Sequence, residues 1–359
     1  MRYLLFFLVA IVAEINAQIH ENSTAAASAM FIMGDSSVDC GDNSPFYPIL
    51  HPRLSLIVCK DSEPSLLPHL LAEKMGVPKP RPFYARKWSS DEFQKGLNYG
   101  SSDATIMNID SQIHQSLNKQ LRQALETLQL MQLQFDDERA REFLSSSIFY
   151  LSFGKNDYID IFLRNFSGMQ LKYTAREFAR ILVNQMGQVL QNLYTWGVRK
   201  VICIGILPLG CAPRVILERQ DMTMVPRDVN GCSADINSII SEYNSMLEKH
   251  IKELNANQTS FVTFCDVFEG MTAILANPEQ YGFNDSRTAC CGLGMFGAAV
   301  GCLDPTMACT QSSKHVWWDL YNPTRALNMI LADSAWSGNL LPSICRPMMI
   351  QTLVSIKSL

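Results

Sequence analysis

Four short apolar runs punctuate the chain: Ala29 to Gly34 (AMFIMG), Ser147 to Gly154 (SIFYLSFG), Lys200 to Leu207 (KVICIGIL) and Ser260 to Val267 (SFVTFCDV). Their near-continuous apolar character predicts strands buried on both faces. The longer stretches between them have a different period. From Thr174 to Trp196, residues Ala175, Phe178, Ala179, Leu182, Met186, Val189, Leu190 and Leu193 share one helical face, and Gly197 follows as the expected cap. Gln112 to Phe135 and Asp235 to Asn255 behave similarly, and Thr324 to Ser337 is a further amphipathic stretch. Strands alternating with helices predict a parallel sheet covered on both sides. Right-handed crossovers then make a three-layer α/β/α sandwich. In such a sheet the ligand lies at the carboxyl ends of the strands, so the positions to inspect follow Gly34, Phe153 and Leu207.

Composition supports a large core: 47% of the 359 residues are hydrophobic and 18% are charged. Disorder, collagen and coiled coil are excluded. Thirty basic residues against 34 acidic ones give no support to nucleic-acid binding. No linker rich in Pro, Gly or Ser divides the chain, so residues 18–359 are read as one domain. The start reads as a signal peptide of residues 1–17: Arg2, the apolar stretch Leu4 to Val12, then Ile15-Asn16-Ala17. No later stretch of about 18 uninterrupted apolar residues exists, so the mature chain is expected to lack an integral membrane segment. Export is also suggested by glycosylation sequons at Asn22, Asn165, Asn257 and Asn284.

Eleven cysteines behind a signal peptide read as disulfides. Cys211 is expected to pair with Cys232, and Cys290, Cys291, Cys302 and Cys309 among themselves. A zinc site is the rival, but the close Cys-x2-4-Cys spacing that zinc uses is missing, so no metal is expected. Because eleven is odd, at least one thiol stays free; Cys203 and Cys265, inside apolar runs, are the best candidates for buried thiols.

Chemistry is suggested at three places. Gly34-Asp35-Ser36 ends the first strand, where a serine hydroxyl can face the cleft. Gly154-Lys155-Asn156-Asp157 ends the second, where an asparagine amide can donate to an oxyanion. Asp319-Leu320-Tyr321-Asn322-Pro323 precedes the last amphipathic stretch, with Asp319 and Asn322 three residues apart. Each alone is equally an ordinary turn.

Together they resemble the plant GDSL esterase/lipases, a branch of the Ser-Gly-Asn-His hydrolases. The first block resembles Gly34-Asp35-Ser36-Ser37-Val38-Asp39-Cys40-Gly41-Asp42-Asn43, and the third Gly154-Lys155-Asn156-Asp157. Leu207 to Pro213 and Ala289-Cys290-Cys291-Gly292 also resemble the family. The resemblance implies a flavodoxin-like parallel sheet and hydrolysis of small acyl or lipid esters with no cofactor. It implies Ser36 as nucleophile and, through its N–H, as oxyanion donor. Asn156 is implied as the second donor and Asp319 as the acid that orients the base.

Two positions depart. Where the family has an oxyanion glycine, Ser102 aligns best, with Gly100 as the nearby alternative. Where the family has histidine in Asp-x-x-His-Pro, this chain has Asn322, whose amide is not a base near neutral pH. Among His20, His51, His69, His114, His250 and His315, the last lies closest, about 13 Å before Asp319 if the chain is extended. His51 and His69 follow the nucleophile and are weaker candidates. The expected function is a secreted serine esterase or lipase impaired at its base. The alternative is a non-catalytic relative that binds a lipid or glycan ester. Asn322→His is expected to restore the base if the scaffold keeps residue 322 beside Ser36.

Overall fold

The computed structural model describes residues 27–39, 43, 66–85, 90–107, 115–164, 168–219, 228, 231–257, 261–341 and 343–356. The signal peptide, Cys40, Gly41, Asp42, Cys59, His20, His51, His114, Asn22 and Asn165 lie outside them.

The four apolar runs form the middle of a seven-stranded sheet. Its strands are β1 (Met30–Gly34), β2 (Arg81–Pro82), β3 (Leu97–Asn98), β4 (Ile148–Ser152), β5 (Lys200–Ile204), β6 (Phe261–Cys265) and, late in the chain, β9 (Cys345–Arg346). The order is β2-β3-β1-β4-β5-β6-β9, and every pairing is parallel except β6 with β9. Without its edge pieces, β3-β1-β4-β5-β6 is the flavodoxin-like order. A separate two-stranded sheet pairs β7 (Asp285–Ala289) with β8 (His315–Trp317).

Every residue of β1, β4 and β5 is buried, as expected of strands covered on both faces. The long helices are α1 (Leu67–Met75), α2 (Leu117–Gln134), α3 (Asp137–Ser146), α4 (Ala175–Thr195), α5 (Ala234–Asn257), α6 (Val267–Ala276) and α7 (Arg325–Ser337). With this strand order, the right-handed crossover rule assigns α2, α4 and α5 to one face and α1, α6 and α7 to the other. Consistent with this, α4 packs on α5 and α1 on α7. Helix α4 starts in a capping box between Thr174 and Glu177 and buries Phe178, Leu182, Met186, Leu190 and Leu193. It ends where Gly197 takes a left-handed φ of 99° and Val198 N–H reaches the Leu193 carbonyl. Among the described residues no helix is long and apolar enough to cross a membrane.

Disulfides join Cys211 to Cys232, Cys290 to Cys309 and Cys291 to Cys302. A further one corrects the sequence reading. Cys265 is not a free thiol: it bonds Cys345 and so ties β9 to β6. The apolar run around Cys265 reports burial, which a disulfide sulfur shares with a thiol. Cys203 is free and buried, and burial pushes its thiol up to about 12.

Candidate active site

The chain leaves β1 toward β3 on one side and later resumes at β4 on the other, so the switch point lies at the ends of these three strands. Gly34 closes β1 at a tight spot: a Cβ there would sit 2.6 Å from the Ser152 carbonyl oxygen and 2.5 Å from Val38. Gln120 of α2 grips this glycine, accepting from its N–H and donating to its carbonyl, both at 2.9 Å. The turn that follows carries Asp35 and Ser36. Asp35 is fully buried, and its carboxylate accepts from the N–H groups of Ser37 at 2.9 Å and Lys155 at 3.0 Å. One buried carboxylate thus joins the turn after β1 to the turn after β4.

Ser36 is half-buried, and its hydroxyl donates to Oδ1 of Asn156 at 2.7 Å. The Asn156 amide nitrogen donates to the carbonyls of Ser102 at 2.7 Å and Ala104 at 3.0 Å. Both amide hydrogens are therefore committed, and the acceptor end faces the serine. The Ser102 N–H donates to Asp39 at 2.7 Å, and the Gly100 N–H to the Asn98 side chain at 2.9 Å. The Ser36 N–H has no partner among the described residues. Of the four expected oxyanion donors, it alone is free in this arrangement.

Asp157 closes the motif Gly154-Lys155-Asn156-Asp157. It is fully buried and receives the N–H groups of Ile106 and Met107, each at 2.8 Å, which holds the loop after β3 against the end of β4. Burial pushes its carboxyl up to about 7 despite those two bonds.

Asp319 and Asn322 lie in the turn after β8. Asp319 accepts from the backbone N–H groups of Tyr321 and Asn322, and the Asn322 amide donates to its two carboxylate oxygens at 3.1 and 2.9 Å. The other end of that amide accepts from Lys155 Nζ at 2.5 Å. Lys155 is only 3% exposed. Sequence reasoning missed it; the signal is a lysine set between the end of an apolar strand and Asn156. A cavity of about 60 Å³ adjoins it, lined by Ser37, Leu207, Met271, Asn322 and Leu331 among others. One water needs about 10–15 Å³, so there is room for a small group or a few waters.

No histidine of the described residues takes the missing place. His315 begins β8 and turns toward β7, with Nδ1 3.4 Å from the Thr288 carbonyl and 3.9 Å from Asp285. His69 is buried on α1, its Nδ1 without a hydrogen-bond partner among the described residues. Burial, with a smaller push from Lys79, drives it down to about 3. His250 on α5 packs against Gly187 of α4. Asn257 and Asn284 are exposed.

The chain resembles known proteins along most of its length. It is 29% identical over 342 residues to GDSL esterase/lipase At1g71250 of Arabidopsis thaliana, covering 92% of this chain and 89% of that protein. GDSL esterase/lipase 7 of the same plant is 29% identical over 327 residues, covering 87% and 88%. GDSL esterase/lipase At4g16230, also from that plant, is 30% identical over 344 residues, covering 92% and 91%. The family described as GDSL-like Lipase/Acylhydrolase matches residues 30–335. Because that match runs from the first residue of β1 into α7, taking in the turns that carry Ser36, Ser102, Asn156 and Asp319, the chain belongs to the GDSL-like lipase/acylhydrolase family.

Proposed function

We propose that the chain is an exported serine ester hydrolase, one domain over residues 18–359 behind a cleaved leader, that attacks acyl or lipid esters through Ser36 at a low rate. The observation that carries this reading is the 2.7 Å bond between Ser36 and Asn156, at strand ends where an α/β sheet binds its ligand. Ser36 Oγ attacks the ester carbonyl, and the free Ser36 N–H receives the developing oxyanion. Asn156, Ser102 or Gly100 joins it only by releasing a present partner. Asp319 holds residue 322 at the place of the base.

The resting hydroxyl donates to an amide oxygen, which is not a base. Its proton must go to water or to the substrate. Loss of a base costs about 10⁶ in turnover and leaves about 10³–10⁴ over water. Exposed Asn257 and Asn284 offer acceptors for sugar in an exported protein. Turnover of a short and a long acyl ester by wild type and Ser36→Ala tests the reading. Slow hydrolysis abolished by the substitution is expected, whereas equal rates in both proteins would remove it.

A second reading, a non-catalytic relative that binds a lipid or glycan ester, is favoured by the commitment of both ends of the Asn322 amide. A fluorophosphonate probe separates the two. It labels Ser36 only when the hydroxyl is activated.

A further inference from the structure

We propose that Lys155 controls position 322: it seals the seat of the base, so an imidazole placed there becomes effective only when Lys155 is replaced as well. The activity arm of this proposal rests on Ser36 being the nucleophile; the titration arm does not.

Lys155 is held at both ends. Its backbone N–H donates to Asp35 at 3.0 Å, and its Nζ donates to Asn322 Oδ1 at 2.5 Å. Asn322 passes the contact on to Asp319 through its amide nitrogen at 2.9 Å. A neutral amide suits this place because one end accepts from an ammonium while the other donates to a carboxylate. The three side chains form a bridge from a buried positive charge to a negative one. Removing the middle acceptor would leave the ammonium buried without that partner, which is strongly unfavourable. Three carboxylates bear on Lys155: Asp35 after β1, Asp319 after β8 and Asp160 beyond β4. They favour its charged form, while burial, the larger effect, pulls it below its ordinary value.

An imidazole at 322 has different resources. Neutral, it carries one N–H and one acceptor nitrogen. Asp319 takes the N–H, as the family's acid would. Lys155 then takes the acceptor nitrogen, the atom that should receive the Ser36 proton. The protonated form has no acceptor and would set two cations against each other, so Lys155 also lowers the affinity of the ring for a proton. Lys155 is a positioning residue here, acting on Ser36 only through residue 322.

The test compares wild type, Asn322→His, Lys155→Met and the double variant, each checked for a cooperative melt. The introduced imidazole is followed by NMR titration, and ester turnover is followed against pH. In Asn322→His the ring should titrate well below the free value of about 6.5, with a rate gain below about tenfold. In the double variant it should titrate at least about one unit higher. Turnover should then rise about 10²–10⁴-fold over wild type, along a limb that follows the ring. If Lys155→Met does not fold, Lys155→Ser provides the same comparison. A ring that titrates identically with and without Lys155 overturns the proposal. So does the full rate gain in Asn322→His alone. Should the titration shift as expected while neither variant cleaves esters, the esterase reading fails and the control by Lys155 stands.

Discussion

Ser36 donates its hydroxyl hydrogen to Oδ1 of Asn156 across 2.7 Å, and Asn156 spends both amide hydrogens on the carbonyls of Ser102 and Ala104. The asparagine is thus a strut between Ser36 and the loop after β3. Asn156→Asp keeps an acceptor for Ser36 but turns a carboxylate oxygen against two carbonyls. A net loss of about 2–4 kcal/mol in urea unfolding is expected, since two buried acceptors lose their donor. Hydrogen exchange should rise at residues 102–107. An unchanged midpoint and unchanged exchange would show that the strut carries no load.

Two buried groups give stability opposite pH dependences. Asp157, pushed up to about 7, keeps its proton in the fold over a range where the unfolded chain has lost it. Its contribution is full below about pH 4 and is lost as pH rises through about 7. His69, driven down to about 3, stays neutral where the unfolded chain is protonated. Its contribution is full above about pH 6.5 and is lost as pH falls toward 3. Inside each window the slope is at most about 1.4 kcal/mol per pH unit. Unfolding free energies of Asp157→Asn and His69→Leu, subtracted from wild type at each pH, should therefore slope in opposite directions between pH 4 and 6.5. Two flat differences would show that neither group titrates as described.

The Cys265–Cys345 disulfide closes a loop with a sequence separation of 80. Chain-entropy arguments assign such a crosslink about 4.5 kcal/mol, mostly through the unfolded state. Cys265→Ala with Cys345→Ala should lower stability by several kcal/mol and open β9, the antiparallel edge strand, to hydrogen exchange. The loop between Cys291 and Cys302, with a separation of 11, should contribute less. The reverse ranking in denaturant titrations would refute the argument.

Gly34→Ala tests the close approach at the end of β1. Its Cβ would meet the Ser152 carbonyl, which also accepts the Asp35 N–H. A loss of about 1–3 kcal/mol is expected, together with weaker fluorophosphonate labelling if Ser36 is the nucleophile. A variant as stable as wild type would show that the turn has room to shift.

Much of this fold is legible in the chain itself. Apolar runs such as Lys200–Ile204 and the stripe along α4 are set by local hydrophobic period, which any window of the sequence displays. Their alternation implies the parallel sheet, and the strand ends then single out Ser36 and Asn156. Strands β2 and β3 have two residues each, too few to show a period, and β9 is recruited by a disulfide and an antiparallel pairing from near the end of the chain. The site divides along the same line. Residue types at 36, 156, 319 and 322 can be read in order, including the missing histidine. The direction of the Asn156 amide, the bonds from Asp157 to Ile106 and Met107, and the meeting of Lys155 with Asn322 across 167 positions cannot. Those depend on which buried polar atoms come within about 3 Å of one another, and only the packed chain decides that.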